Sequence, residues 1–570
     1  MNLFPSMNDR MHPSRHSAPC AHSHHLLLVL GLGLAWSAPA LAQLPDAGQS
    51  LRDIESARPQ LAPSIAPELE LSAPSRPQAA EPDSGPRLRV AGFRFSGNTA
   101  FDAATLAPLL QDLAGRELGM AELRAATERV TRFYQRHGYL LARAYLPPQE
   151  IEAGEISIAI QEGRYGAVEL DNASRTRDQV LRAPLRALEG GLVERDALDQ
   201  ALLRLNDLPG VNVRATLRPG TQAGRSDLLL QAQSGALLSG GVELDNYGGK
   251  YTGEYRLGGS LNLNSPLTLG DQLSLRAMSS DGRQQYQRVS YQLPLGPWLT
   301  RLGAAYSNME YRLGRSLSDL GMHGNARITS GFVSQTLRRG RNFSLHGQLL
   351  YEDKQLKDDI EFDGSRGVKR ARLWTATLSA NGQDGLGGGG LSQLSLAYSA
   401  GELRIEDPLA QWWDYLTSDT QGSFGKLSLS GVRLQRLGAR LSLYAQLNAQ
   451  WASRNLDSSE KISLGGPYAV RAYPAGDASG DEGWIGNLEA RYAVWPGVQA
   501  ALFYDYGQTR ANKRGWGQLN PRLQRGALGL GLGWQQGQGQ LNLSAAWRVS
   551  AGNAAPERGP TIWAQASWLL

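Results

Sequence analysis

Arg471 is the residue of this chain that most needs a partner. It lies in Leu464-Gly465-Gly466-Pro467-Tyr468-Ala469-Val470-Arg471-Ala472-Tyr473-Pro474, inside a connection spanning 452–483. A solvated loop would carry Ser, Asn and Lys, whereas this one carries apolar and aromatic residues and demands burial. A guanidinium taken out of water requires a carboxylate, which its planar fork can hold bidentately. Glu489 and Asp505, on the two stretches that follow the loop, are the inward-facing candidates. The chemistry on offer is therefore ion pairing rather than bond making.

Other candidate chemistry is weaker. His137, His323 and His346 are the histidines downstream of residue 42, and they fall in three unrelated segments. No shared metal or catalytic centre is expected from them. The run Asp358-Asp359-Ile360-Glu361-Phe362-Asp363 could hold a divalent cation, but its place between strands reads as a solvated outer loop. Gly529-Leu530-Gly531-Leu532-Gly533 has phosphate-loop spacing without a following helix, so small residues easing strand curvature explain it. Trp412-Trp413, in the 402–420 connection, reads as an interfacial anchor.

The elements that must position Arg471 follow from periodicity. After about residue 234 no helical period survives. Sixteen runs of about 10 residues alternate apolar and polar, beginning near 237, 252, 271, 284, 299, 324, 342, 367, 390, 422, 439, 484, 498, 523, 539 and 560. An even number of antiparallel strands closes a barrel without an exposed edge. In 498–507, Val498, Ala500, Leu502, Tyr504 and Tyr506 share the face that suits lipid. Phe503, Asp505 and Gly507 share the other.

Connections alternate as well. Pro294-Leu295-Gly296-Pro297, Arg339-Gly340-Arg341, Leu437-Gly438, Pro496-Gly497 and Gly537-Gln538-Gly539 are short turns. The segments 310–323, 355–366, 402–420, 452–483 and 508–521 read as long outer loops. Short periplasmic turns and longer outer loops characterise a transmembrane β-barrel. Gly at 66 of 570 residues and a mean hydropathy of −0.35 agree, since water-facing residues dilute the apolar signal.

Two soluble modules precede the barrel. Residues 87–163 read as strand (88–95), helices near 102–112 and 120–137, and strands at 142–146 and 155–162. Residues 164–233 repeat that β-α-α-β-β order, which is an internal repeat. Residues 43–86 are a Pro-, Ala- and Ser-rich linker with one amphipathic helix expected near 47–58, where Leu51 and Ile54 have helical spacing.

Residues 1–42 read as a signal peptide. Arg10 and Arg15 precede the apolar core Leu26–Trp36 and the small-residue site Ala40-Leu41-Ala42. Cys20, the sole cysteine, lies within that segment, so neither disulfides nor thiol chemistry is expected downstream. A net charge of +5 on scattered basic residues argues against nucleic acid as a partner.

These residues together resemble a family. Val470-Arg471-Ala472-Tyr473 is similar to the VRGY loop motif of the superfamily joining TpsB two-partner secretion transporters (ShlB/FhaC/HecB-like haemolysin and adhesin secretion proteins) to BamA-type assembly factors. Ala472 stands where that motif usually has Gly. Phe503-Tyr504-Asp505-Tyr506-Gly507 resembles the superfamily's F-x-D-x-G strand, and Asn487-Leu488-Glu489-Ala490-Arg491 the strand after the loop. The modules at 87–163 and 164–233 resemble POTRA domains, with Phe95-Ser96-Gly97-Asn98-Thr99 as the usual opening.

The resemblance implies two POTRA domains and a 16-stranded transmembrane β-barrel, occupying 234–570, in the outer membrane of a Gram-negative bacterium. It implies a lumen salt bridge from Arg471 to Asp505 in a loop motif with Val470 and Tyr473. Glu489, Arg491, Phe503 and Gly507 would support it in the lumen. The helix near 47–58 would plug the pore, and deleting 46–58 should raise conductance.

The implied partner is an unfolded TpsA-type exoprotein of the haemolysin, adhesin or contact-dependent toxin class, exported without ATP. Outer-membrane lipids and lipopolysaccharide, and periplasmic chaperones with the barrel assembly machinery during biogenesis, are the other expected partners. No cofactor, no metal and no enzymatic activity are expected. The alternatives are a BamA-type assembly factor and, behind it, a passive porin.

Overall fold

The computed structural model describes residues 45–55, 69–71, 87–515, 522–550 and 559–570. The expected signal peptide lies outside them. Among the described residues no helix is long and apolar enough to cross a membrane.

Module 1 holds β2 (Leu88–Arg89), β3 (Gly92–Ser96), α2 (Ala103–Leu106, continued as a 3-10 turn to Leu113), β4 (Glu117–Leu118), α3 (Met120–Arg136), β5 (Arg143–Tyr145) and β6 (Glu155–Gln161). Asp102 caps α2 by accepting the Thr105 N–H at 2.9 Å. Gly138 follows α3 at φ +95°, a conformation costly for a residue with a Cβ. Along α3, Leu123, Ala126, Val130 and Tyr134 fall on one face and bury against Ile156, Ile158 and Ile160 of β6. The expected single strand 88–95 is two pieces instead, because Val90 and Ala91 bond outward to Arg116 and Gly154.

One carboxylate fastens the module's opening. Glu162 accepts hydrogen bonds from the Thr99 hydroxyl, from the Ala100 N–H at 2.7 Å and from the Tyr134 hydroxyl at 3.0 Å. Burial first, and then the Glu162 carboxylate, hold the Tyr134 hydroxyl protonated well above the ordinary phenol range. Glu162→Ala strands three donors in the interior, which is expected to cost about 2 kcal/mol. Limited proteolysis across a temperature series should show module 1 cleaved earlier while the barrel stays intact.

Module 2 repeats the order with β7 (Arg164–Ala173), α4 (Asp178–Arg182), α5 (Arg195–Asn206), β8 (Val211–Pro219) and β9 (Arg225–Ser234). Its sheet gains a strand from elsewhere. β1 (Leu69–Leu71), in the linker, pairs parallel with β8, giving the order β1-β8-β9-β7.

Module 2 is seated on the barrel's turns. Leu299, from the turn after the fourth barrel strand, joins its core. Arg339 grips Asp207 with two hydrogen bonds of 2.8 and 3.0 Å, and Arg341 grips Asp199 with bonds of 2.5 and 2.9 Å.

Sixteen strands, from β10 (Leu238–Asp245) to β25 (Thr561–Leu569), form a closed antiparallel barrel in chain order. Every start lies within four residues of its expected place, the widest gap being Arg256 against 252. Alternation sets the faces. Leu502 is 54% and Tyr504 45% exposed outward, whereas Phe503 is 1% and Asp505 0% exposed. A lipid-facing row and a lumen-facing row share one strand.

Strand length departs from the expected 10 residues on one side of the barrel. β15 (Met322–Arg339) and β16 (Phe343–Ile360) have 18 residues each, and β17 (Ser365–Asp384) has 20. Their outer ends carry charges on both faces, so hydropathy alternation stops while the hydrogen-bonded ladder continues to Ile360↔Ser365. The expected loop 355–366 thus shrinks to 361–364. The acidic run is corrected with it: Asp358 and Asp359 are strand residues, not solvated loop.

The helix expected near 47–58 is α1 (Ala47–Glu55). Ala47, Leu51 and Ile54 are buried among inward-facing Met278, Tyr286, Met309, Tyr311, Ile328 and Leu356, so α1 lies inside the barrel. Trp412 and Trp413 sit half exposed on α6 (Pro408–Leu416), in the connection after β18 (Gly390–Ile405).

Candidate functional site

The 452–483 connection enters the lumen between β20 (Leu441–Ala452) and β21 (Glu482–Trp495). At its turn Val470 is fully buried and Tyr473 is 1% exposed. The backbone N–H of Val470 reaches back to Leu464 O at 2.8 Å, and Gly466 N–H to Tyr473 O at 3.0 Å. These bonds close the motif on itself. Ala472 is not among the residues with positive φ, so a Cβ is admitted where the family motif has Gly.

Arg471 is held from several sides. Its Nε and Nη2 donate to the two Asp505 carboxylate oxygens at 2.8 and 2.7 Å, and its Nη1 to Glu489 Oε1 at 2.8 Å. The backbone N–H of Arg471 also donates to Asp505, at 3.1 Å. Its carbonyl accepts from the Trp563 indole at 2.7 Å, and its guanidinium lies 3.3 Å over the Phe503 ring centroid. Glu489 in turn accepts from Arg491 Nε at 2.8 Å, and Arg491 stacks 4.1 Å from Tyr444. Two guanidinium and two carboxylate groups balance, which makes their burial tolerable.

Close approach needs two glycines here. A Cβ at Gly507, on β22 (Val498–Arg510), would meet Leu464 Cδ2 at 2.8 Å. One at Gly529, on β23 (Arg522–Gln536), would strike the Phe503 ring at 2.2 Å. Gly529 thus makes room for Phe503, a more specific role than easing curvature. Every expected site residue is in this cluster: Val470, Arg471, Tyr473, Asp505, Glu489, Arg491, Phe503 and Gly507.

Sequence reasoning missed the loop's other end. Glu460 is 2% exposed and bridges Lys354 of β16 at 2.8 Å and Lys426 of β19 (Gly422–Arg436) at 2.6 Å. Asp457 holds Lys369 of β17 at 2.8 Å, and Lys461 holds Asp481 at 2.9 Å. Asp477 binds Arg525 of β23 at 2.6 Å. The loop is pinned at its stem to β16, β17 and β19, and at its turn to β21, β22 and β25.

Helix α1 is clamped between this loop and the wall. Asp46 accepts from Gln49 N–H at 2.8 Å as its N-cap, and Asp358 accepts the Ala47 N–H at 2.8 Å. Arg52 then spends four hydrogen bonds on the loop. Nη1 reaches Ser458 O and Lys461 O, both at 2.8 Å; Nη2 reaches Ser463 Oγ at 2.7 Å and Ser479 Oγ at 3.1 Å. Contact is tight enough that a Cβ at Gly48 would lie 2.6 Å from Ser458 Oγ and 2.7 Å from Ser459 N.

A sixteen-stranded barrel filled by an inward loop and a clamped helix, standing on α/β modules, defines an outer-membrane translocator architecture. A family model described as haemolysin secretion/activation protein ShlB/FhaC/HecB matches residues 224–536, and one for the ShlB-type POTRA domain matches 88–163. The chain belongs to this family of outer-membrane two-partner secretion (TpsB) transporters, whose POTRA domains lie in the periplasm.

Among its relatives, the heme/hemopexin transporter protein HuxB of Haemophilus influenzae is 28% identical over 488 residues, 84% of this chain and 86% of the relative. The hemolysin transporter protein ShlB of Serratia marcescens is 27% identical over 524 residues, 88% of each chain. The solved structure of CdiB from Escherichia coli superposes with a TM-score of 0.69 at 21% identity, covering 92% of this chain and 96% of that one. That likeness concerns the fold.

Proposed function

We propose that this transporter captures a large unfolded exoprotein of the haemolysin, adhesin or contact-dependent toxin class in the periplasm and passes it through the barrel without ATP. The observation that carries this reading is a lumen occupied by two removable segments, α1 and the loop 452–483. Polar and ionic contacts hold both, beside two small apolar clusters around Leu51 and Ile54 and around Val470 and Tyr473. Such contacts exchange for water or for a passing chain at modest net cost. A passive pore needs no such filling.

Modules 1 and 2 offer sheet edges to which an extended chain adds by backbone pairing, a mode tolerant of sequence. Module 2, fastened to the turns by Arg339 and Arg341, hands the chain to the pore mouth. Val470, Arg471, Tyr473 and Asp505 form the lock that sets the loop in the lumen, with Glu489, Arg491, Phe503 and Gly507 shaping it. The protein acts on its partner by transport and not by covalent chemistry. The lipid-facing rows meet outer-membrane lipid and lipopolysaccharide, and chaperones with the barrel assembly machinery deliver the chain.

Protein mass spectrometry of culture supernatants and cell surfaces, comparing wild-type and deletion strains, tests the reading. One large protein should disappear and return on complementation. A broad fall in many outer-membrane barrels, with no secreted protein lost, would instead indicate an assembly factor.

A further inference from the structure

The barrel wall carries a basic stripe on the side that faces away from the lumen. Residues opposite one another on antiparallel strands share a face. Tyr351 of β16 and Trp374 of β17 are in register and their rings lie 4.9 Å apart. With Tyr398 of β18 they point outward and mark the outer interface of the membrane. Beyond these aromatics, β14 (Thr300–Arg312) and the outer ends of β15 to β18 continue toward the cell surface.

The outward positions there climb in rows two residues apart. The first row sets Arg372 opposite both Glu402 and Asp353. The second sets Arg370 opposite Arg404 and Gln355, and Gln355 opposite Arg327, so it holds three arginines and no acid. The third sets Lys357 and Glu310 on either side of Asn325, and the fourth aligns Arg366, Asp359, His323 and Arg312. Arg312, Arg327, Arg372 and Arg404 are each exposed between two buried neighbours, so their charged heads face out. From first row to fourth the stripe runs about 20 Å along the strands, or about 15 Å of rise at the tilt of a transmembrane barrel.

These four rows carry seven arginines and lysines against four carboxylates, a surplus of three positive charges. Asp359 holds Lys357 and Arg366, both at 2.7 Å, and Asp353 holds Arg370. Arg312 and Arg327 form no ion pair among the described residues. At the top, Arg312, His323 and Lys357 join Arg283 around an open groove of about 420 Å³. Charge ends at both flanks. The rows continue as Gln285 and Gln287 on β13 (Gln284–Leu295), and as Ser423 and Gly425 on β19.

Like charges held side by side cost free energy unless an anion joins them. A polypeptide inside the pore does not meet this face, because the lumen side of the same strands carries Lys354, Leu356 and Lys369 instead. The stripe meets the outer leaflet. A guanidinium grips phosphate bidentately. A phospholipid offers one phosphate at the level of the aromatics, whereas four rows of cations fit a taller head bearing phosphates at several heights.

We propose that the outward face of β14 to β18 is a discrete binding site for lipopolysaccharide. Its acyl chains lie below Tyr351 and Trp374, its lipid A phosphates meet Arg372, Arg370, Arg404 and Arg327, and its core phosphates meet Lys357 and Arg312. The site does not depend on the secretion function proposed above.

The test titrates the full-length protein in detergent with rough lipopolysaccharide that has a phosphorylated inner core, read by native mass spectrometry. Arg312→Gln, Arg327→Gln and Lys357→Gln together remove three charges from β14, β15 and β16 and leave the lumen side untouched. The expected result is a Kd at least tenfold weaker than wild type. The matched control, Arg510→Gln, Lys513→Gln and Arg522→Gln at the outer ends of β22 and β23, should change it less than twofold. Wild-type protein should also bind the same glycolipid stripped of phosphate, and phosphatidylglycerol, at least tenfold more weakly. Equal affinity of the triple variant and wild type overturns the proposal. If that variant loses heat-modifiable migration on gels, the wild-type comparisons decide alone, and undiminished binding of the dephosphorylated glycolipid overturns it. Displacement of the glycolipid by equimolar polyglutamate would make the stripe a surface for acidic polypeptide and overturn it as well.

Discussion

Arg471→Ala is expected to lower secretion of the partner at least tenfold while leaving a folded barrel in the outer membrane. The substitution leaves Asp505, fully buried, and Glu489, 3% exposed, without the guanidinium that joins them. Breaking a buried pair by removing one member costs about 3–5 kcal/mol, because the remaining charge stays desolvated. That cost falls on the loop, whose turn Arg471 fastens, rather than on the ladder of sixteen strands, which closes without it. Heat-modifiable migration on gels should therefore be kept while supernatant protein falls. Secretion at the wild-type level would show the pair to be dispensable.

The partners grade the prediction. Asp505→Asn removes the charge that Arg471 grips bidentately and that Asn487 also contacts at 2.8 Å. It should approach the Arg471→Ala defect. Arg471→Lys keeps the charge but can bridge Asp505 and Glu489 only as a point donor, so an intermediate defect is expected. Restored secretion with lysine would reduce the role of Arg471 to charge alone.

Some of this site was legible in the sequence because its signals are local. Period-2 alternation fixes which of Phe503, Tyr504 and Asp505 turn inward, and the apolar run around Arg471 marks a loop that must bury. The repeat of strand, two helices and two strands exposes both modules for the same reason. What escaped depends on partners distant in sequence. Glu460 meets Lys354 across 106 residues, and Asp358 caps α1 from 311 residues away. Lumen-facing lysines and acids read as solvated surface whether or not a loop later covers them. The outer halves of β15 to β17 were hidden because charges on both faces erase the alternation that marks the membrane-embedded half. The β1–β8 pair leaves no pattern in a proline-rich linker at all.

Deleting residues 46–58, which contain α1, is expected to raise single-channel conductance in planar bilayers several-fold. Within the described residues α1 fills space between the loop and the wall formed by β12 (Gln272–Ser280) to β16, burying Leu51 and Ile54 there. Its removal also strips Ser458 O, Lys461 O, Ser463 and Ser479 of the Arg52 guanidinium. Water and ions then occupy the vacated volume, drawn by the loop groups that Arg52 served and by Asp358 and Lys369 of the wall. The Lys354–Glu460–Lys426 and Arg471–Asp505–Glu489 bridges do not involve α1, so the loop should stay inside and the channel should widen without losing its lock. Gly48→Val separates the helix's presence from its fit: its Cβ would collide with Ser458 and Ser459, so the helix is retained in the chain but seated poorly, and openings should become more frequent without reaching the deletion's conductance. An unchanged conductance in the deletion would mean that the loop alone seals the barrel, and the helix would then be a passenger in the lumen rather than its plug.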